Sequence, residues 1–344
     1  MQAELSNKIA NMGAVCAFLV VAIHVEWSPC GFISINSFMS RFIKEGLADL
    51  AVPFFFVVSG YFIGKHVREE GWYARAVRKR IRTLLVPYML WIVVAFLLTA
   101  PLALGADIIA QRPLGSGINM NLRYLLENVG IIMDRPPVLV PLWYIRCLFI
   151  LVCATPFILW MERKFCHVWL VCSWISWLYV SAQPLPLAEE SFSWLGFFRF
   201  GCSLMGLTYY SLGVSISQNE FARIASAGNR WFAVLSIVFA CCIRLCEGLP
   251  VSARGASVPF LMYSMWLLIP AMQWPKWIVR NSFAIFVIHY IVLTWGNIVC
   301  KYVGVPHAIA PILNFIAAIM ISIVISEALR RRYPKLALLL LGGR

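Results

Sequence analysis

A histidine inside an apolar run is the first residue of this chain equipped for chemistry. His24 lies near the end of the segment Phe18-Leu-Val-Val-Ala-Ile-His24-Val25. Ionisable side chains at membrane depth are costly, by roughly 2.5 kcal/mol or more when charged at a helix centre, so an imidazole there either hydrogen-bonds a neighbouring helix or handles a proton. Imidazole is also the side chain whose ordinary pKa suits a base near neutral pH. A second case is His289, in Ser282-Phe-Ala-Ile-Phe-Val-Ile-His289-Tyr290. At about two turns into its segment it is expected near the cytoplasmic edge and on the wall of the substrate cavity, with a structural hydrogen bond as its role and catalysis as the alternative.

Charged residues frame these imidazoles. The run Arg75-Ala-Val-Arg78-Lys79-Arg80-Ile-Arg82-Thr83 precedes an apolar segment. Such a run sets topology and binds anionic lipid. Continued as a helix, it also puts Arg75, Arg78 or Lys79, and Arg82 on one face, where donors can converge on a pyrophosphate or a 3′-phosphate. Arg146, in Leu142-Trp143-Tyr144-Ile-Arg146, and Arg199, in Phe197-Phe-Arg199-Phe-Gly201, fall within apolar segments. Each must snorkel, pair, or face a wet cavity, and with few acids at that depth a cavity shared with Trp143 and Tyr144 is the expectation. Asp49 is the main acidic candidate. With the first two spans antiparallel and residues 9 and 64 at one membrane edge, Asp49 sits at the height of His24 and can orient the imidazole. Ser59 and Gly60, in Val52-Pro53-Phe-Phe-Phe-Val-Val-Ser59-Gly60-Tyr61, suit close helix packing.

The elements that must hold these groups follow from composition. Of 344 residues, 61% are hydrophobic and 13% charged, with 14 Trp and a mean hydropathy of +0.80. That describes an all-α polytopic membrane protein rather than a soluble enzyme. Requiring about 20 apolar residues per helix gives ten candidate spans, near 9–26, 47–64, 84–104, 138–160, 165–182, 194–217, 231–246, 256–273, 282–303 and 308–329. The first is read as a retained span, since no small-residue cleavage pattern follows it. Without a linker, low-complexity run or repeat, residues 1–344 read as one membrane domain.

The net charge of +14 could suggest nucleic acid, but its distribution excludes that reading. Most of the 29 Lys and Arg flank alternate spans, leaving Arg41, Lys44, Arg112, Arg123, Arg135, Arg254 and Lys301 in the other loops. This is the positive-inside pattern for cytoplasmic N- and C-termini. The outer loops are expected to be short except 27–46 and 105–137, and the latter holds a helix-spaced stretch over 121–132 that suits the interface or a cavity mouth. Eleven scattered Cys, none in a Cys-x-x-Cys pair, indicate neither a disulfide framework nor a metal site. A transporter or flippase for a lipid-linked or small polar substrate could use the same cavity. Coupled carriers, however, commonly place acids at mid-bilayer, and these are nearly absent here.

Taken together, the segments around His24, Val52–Phe62, Arg80–Tyr88, Leu142–Arg146 and Ser282–His289 resemble the acyltransferase 3 family of integral membrane acyltransferases. The resemblance runs over nearly the whole chain. It implies ten helices in a cell membrane, expected to be a bacterial cytoplasmic membrane. It also implies acyl-CoA as a donor substrate entering from the cytoplasm, acetyl by default, with no permanently bound cofactor and no metal. The acceptor would be a hydroxyl of a glycan or lipid-linked saccharide. His24 would be catalytic, as general base or transient acyl carrier; Asp49 as its neighbour comes from the helix-rise count and not from the resemblance. The basic residues Arg75, Arg78, Lys79, Arg80 and Arg82 would help hold CoA, and Ser59 is placed with them. Two positions depart from the family pattern: Asn11-Met12-Gly13-Ala14 stands where many members carry an Arg, and Thr83 occupies the second Arg position of their Arg-x-x-Arg.

Overall fold

Backbone in lipid must satisfy its own N–H and C=O groups, which leaves helices as the economical solution for a chain this apolar. The computed structural model describes residues 2–27, 35–110, 122–165, 167–183, 193–218, 230–245 and 251–343, and among them every regular element is helical. In chain order the helices used below are α1 (Gln2–His24), α2 (Ile35–Gly64), α3 (Trp72–Arg80), α4 (Val86–Ala110), α5 (Leu122–Val129), α6 (Trp143–Cys153), α7 (Thr155–Phe165), α8 (His167–Ala182), α9 (Leu204–Gln218), α10 (Arg230–Leu245), α11 (Val251–Leu268), α12 (Lys276–Val279), α13 (Ser282–Val303), α14 (Ala310–Arg332) and α15 (Pro334–Leu340).

Helices occupy all ten expected intervals, but their lengths differ. Five segments are long and apolar enough to cross a membrane: Ala3–His24, Ile35–Gly64, Trp72–Leu98, Ser282–Val303 and Ala310–Arg332. The pair Val140–Cys153 and Thr155–Phe165, bent by 64° at its break, passes the same test only when taken together, as a broken span or a re-entrant loop. The bend has a local cause, because Pro156 cannot donate to the preceding turn. Thr155 steadies it by bonding the Leu151 carbonyl at 3.1 Å and the Tyr210 hydroxyl at 2.7 Å. The apolar stretches Val168–Ala182 and Ala233–Ile243 are shorter.

Two expectations change. The loop expected over 27–46 is helical from Ile35, so α2 continues unbroken to Gly64 through wide π-type turns at Met39–Leu47 and a tight turn at Ala48–Leu50. Its polar residues lower the mean hydropathy, yet Phe38, Phe42, Ile43 and Leu47 recur at helical spacing and the rings of Phe38 and Phe42 stack at 5.2 Å. Arg254, expected in a loop, lies a turn inside α11, because a hydropathy boundary stops at the charge while the backbone continues as helix. In the connector expected at 105–137, α4 runs on to Ala110 and α5 forms the anticipated short helix, while residues 111–121 lie outside the described part.

The core gathers around α2 and α9, with Phe56, Tyr209 and Tyr210 fully buried. These two helices touch through glycine. A Cβ at Gly60 would run into the Tyr210 carbonyl, and one at Gly213 into the Val57 carbonyl. Where the surrounding solvent is as apolar as the side chains, such backbone proximity supplies the van der Waals contact that hydrophobicity does not. A smaller cluster of Ala17, Val21, Val25, Trp27, Ile285 and Ala318 joins α1 to α13 and α14.

Candidate active site

His24 is the last residue of α1, and the end of that helix is tied down from two sides. The indole of Trp27 donates to the Ala22 carbonyl at 2.9 Å, and the Lys44 ammonium, from the π-type stretch of α2, donates to the Val25 carbonyl at 3.2 Å. Terminal carbonyls without helical partners are thus satisfied, one of them by a cation that also complements the helix dipole. Around the imidazole, Tyr290 stands edge-on at 5.3 Å between centroids and His289 lies tilted by 37° at 5.4 Å. Nearer its middle α1 is held by Asn11, which is buried and donates to the carbonyls of Pro270 and Met272 at 3.0 and 2.8 Å.

A cavity of about 370 Å³ opens beside His24. Its walls are mostly apolar and aromatic, with Val52 and Pro53 of α2, Trp143 and Tyr144 of α6, Trp177 of α8 and Phe286 of α13. Four side chains interrupt them with polar chemistry: His24, Asp49, Ser181 and Arg254. An apolar concave wall with a few convergent polar groups is the usual form of a small-molecule site. The structure thus brings His24, Asp49, Trp143 and Tyr144 to one place from three different helices. Sequence reasoning missed Arg254, Trp177 and Ser181; the only available signal was an arginine directly beside an apolar segment.

The other expected cavity residues lie elsewhere. Arg146, 6% exposed, donates to the carbonyls of Glu127, Arg135 and Phe200 at 3.0, 2.9 and 3.3 Å. It staples the connector before α6 onto that helix instead of lining the cavity. Arg199 donates to the carbonyls of Val180 and Ser181 at 2.8 and 3.2 Å and to that of Gln183, which closes the C-terminal end of α8. Backbone carbonyls, invisible to a search for acidic partners, take the terminal N–H groups of both guanidinium groups, while each Nε stays buried without a partner among the described residues. Replacing Arg146 by Leu should leave buried carbonyls unbonded at about 1–3 kcal/mol each, a cost measurable as a lower melting temperature and folded yield in detergent. His289 is fully buried behind His24 and off the cavity wall. Depth counted along each helix from its own start placed the two imidazoles apart; their 5.4 Å separation shows that α1 and α13 do not start at a common level.

The connector over 122–137 is folded against the start of α6. Arg123 bridges Glu127 at 2.8 Å and Asp134 at 2.9 Å, and the hydrogen bond to Glu127, with the nearby Asp134 charge, holds its guanidinium pKa above the ordinary value despite some burial. Asp134 in turn accepts from the Ser193 backbone at 2.9 Å.

The basic segment lies on α3 and the wide turn Ile81–Leu85 that follows. Arg75, Arg78, Lys79 and Arg82 are exposed and Arg80 is half-buried. Arg75 pairs with Glu69 at 3.0 Å, and Glu69 also meets His66 at 2.6 Å; the His66 hydrogen bond, then Arg75, holds that carboxyl below its usual range. Widening after Arg80 shifts Arg82 from the strict helical register that the spacing suggested. The helix is docked by Tyr73, whose hydroxyl donates to the Cys153 carbonyl at 3.0 Å, at the α6–α7 bend. Ser59 is half-buried in α2 and does not line the cavity.

Comparison with known proteins agrees with the resemblance read from the sequence. The family model described as an acyltransferase domain, acyltransferase 3, matches residues 11–331. A similar relative is the succinoglycan biosynthesis protein ExoH of Rhizobium meliloti (strain 1021), 25% identical over 376 aligned positions that cover 100% of this chain and 94% of the relative. No solved structure matches the chain.

Proposed function

The chain belongs to the acyltransferase 3 family, and from that premise we propose that it transfers an acyl group, acetyl by default, from acyl-CoA to a hydroxyl of a glycan or lipid-linked saccharide. The observation that carries the reading is the cavity in which His24 meets Asp49, Arg254 and an aromatic wall. A glycan acceptor is further supported by the relative whose name places it in succinoglycan biosynthesis, and by aromatic rings suited to the apolar faces of a sugar.

The chemistry follows from the residues. A thioester is already activated, so the demanding step is removal of the acceptor proton. His24 takes that proton as the hydroxyl oxygen attacks the thioester carbonyl; the C–S bond breaks and the CoA thiolate recovers a proton, giving ester and free CoA. In a ping-pong variant, His24 first accepts the acyl group and then passes it on. Asp49 lines the same cavity, and we assign to its carboxylate the role of favouring the imidazolium formed in either course.

Donor and acceptor reach this cavity from different directions in our reading. Ten spans with both termini in the cytoplasm are supported by the flanking Lys and Arg, and place α3 on the cytoplasmic face of a bacterial cytoplasmic membrane. There we assign the CoA phosphates to Arg75, Arg78, Lys79, Arg80 and Arg82, and to Ser59 of α2, while the pantetheine arm carries the thioester inward.

Purified protein in proteoliposomes, given labelled acetyl-CoA and either soluble or lipid-linked saccharides, should release CoA in step with acylation of the saccharide. Saccharide crossing the vesicle membrane without acylation by any acyl-CoA would instead establish a carrier and overturn the reading.

A further inference from the structure

His289 is the one intramembrane imidazole that the reaction above leaves without a task, and its environment is specific. Its side chain is fully buried. Nδ1 lies 2.9 Å from the Ile285 carbonyl, and since a carbonyl oxygen only accepts, Nδ1 carries the proton. The neutral ring then presents Nε2 as a lone pair. Among the described residues Nε2 has no hydrogen-bond partner, a costly state for a buried acceptor. The nearest imidazole is His24, 5.4 Å away between centroids and tilted by 37°. An in-line N–H···N bond of about 3 Å between two imidazoles sets their centroids roughly 5 Å apart.

We propose that His289 is the positioning residue for His24: the rings lie close enough that a small turn of either brings a His24 N–H onto the open Nε2, and that bond fixes the lone pair of the other His24 nitrogen toward the cavity. The proposal rests on the acyl-transfer reading and supplies the group that orients its base. A chain of three follows, from the Ile285 carbonyl through His289 to His24, in which a backbone oxygen fixes one tautomer and that tautomer fixes the next. It resembles the base–orienter logic of other catalytic sites with a neutral imidazole in the orienting place. When His24 takes the acceptor proton, the resulting imidazolium keeps its second N–H on His289, so no proton need move along the pair. The same hold serves the acyl-carrier variant, since the cavity-facing nitrogen is the nucleophile there.

Two substitutions separate this role from a purely structural one. His289→Gln can set its carbonyl near the place of Nε2 and retain an acceptor for His24. His289→Asn can keep a donor near Nδ1 for the Ile285 carbonyl and lose the acceptor. Measured by acyl transfer in proteoliposomes, the Gln variant should stay within about fivefold of wild-type kcat. The Asn variant should lose about 10–100-fold in kcat with KM for acyl-CoA unchanged, the usual size for losing an orienting partner. Asn equal to or better than Gln would overturn the proposal. Should both variants fail to fold, the unaltered protein decides: ¹⁵N NMR of histidine-labelled protein should show a scalar coupling across the hydrogen bond between a His24 and a His289 nitrogen, and its absence overturns the pairing. Full transfer by His24→Ala would instead sink the acyl-transfer assignment of His24 itself, a failure distinct from loss of the pair.

Discussion

Replacing His24 by alanine should lower kcat for acyl transfer by about a thousandfold while the protein keeps its melting temperature within a few degrees. The size follows from the task, because a positioned base typically contributes 10²–10⁴-fold. The mild structural effect follows from the site: His24 is only partly buried and faces a cavity, so truncation enlarges an existing space rather than opening a new void in a packed core. The same variant distinguishes the two courses of reaction. Mixed with labelled acyl-CoA and no acceptor, wild-type protein that carries the acyl group on His24 should release a burst of CoA matching the enzyme concentration and hold hydroxylamine-sensitive label, both absent from His24→Ala. A base alone gives no burst in either protein. Transfer undiminished by the substitution would remove His24 from the mechanism.

Neutralising the basic face should act on the other kinetic constant. The combined change Arg78→Gln, Lys79→Gln and Arg82→Gln is expected to raise KM for acyl-CoA by about 10–100-fold with kcat within twofold. Three exposed charge-assisted contacts to phosphate, each screened by water and salt, support a modest factor apiece. Arg75 is left in place because its pairing with Glu69 would confuse a lost phosphate contact with a disturbed α3. The wild-type KM should rise with ionic strength and that of the triple variant should change little. If the two respond to salt alike, or if kcat falls with KM unchanged, phosphate binding by this face is wrong. The wide turn over Ile81–Leu85 predicts a finer point: Arg82, out of helical register with Arg78, should contribute least when the three are changed singly.

How far the sequence reached differs from residue to residue. His24 stood out because an imidazole among Val, Ile and Ala has no composition-level excuse. Counting rise along two antiparallel helices puts Asp49 at the height of His24, and the two residues line one cavity. Arg146 and Arg199 show where such reasoning stops: it looked for acids or water, whereas the folded chain offers backbone carbonyls of Glu127, Arg135, Phe200, Val180 and Ser181. Arg254 was set aside as a loop cation because hydropathy windows end at a charge. His289 was assigned a depth from its own helix start, and that start is set by packing against other helices.

The sequence by itself determined that the chain is helical and membrane-embedded, that it falls in the acyltransferase 3 family, and that His24 is an imidazole needing a reason to be where it is. Those properties depend on composition, period and local order, all of which are written along one strand of residues. Only the tertiary structure decided which side chains face the cavity, that two guanidinium groups close backbone ends, and that His24 and His289 stand 5.4 Å apart. Each of those is a relation between helices, fixed by glycine contacts such as Gly60 on Tyr210 and Gly213 on Val57 and by ties such as Lys44 on Val25. The offset and rotation of one helix against another carry no periodic signature in either sequence segment alone.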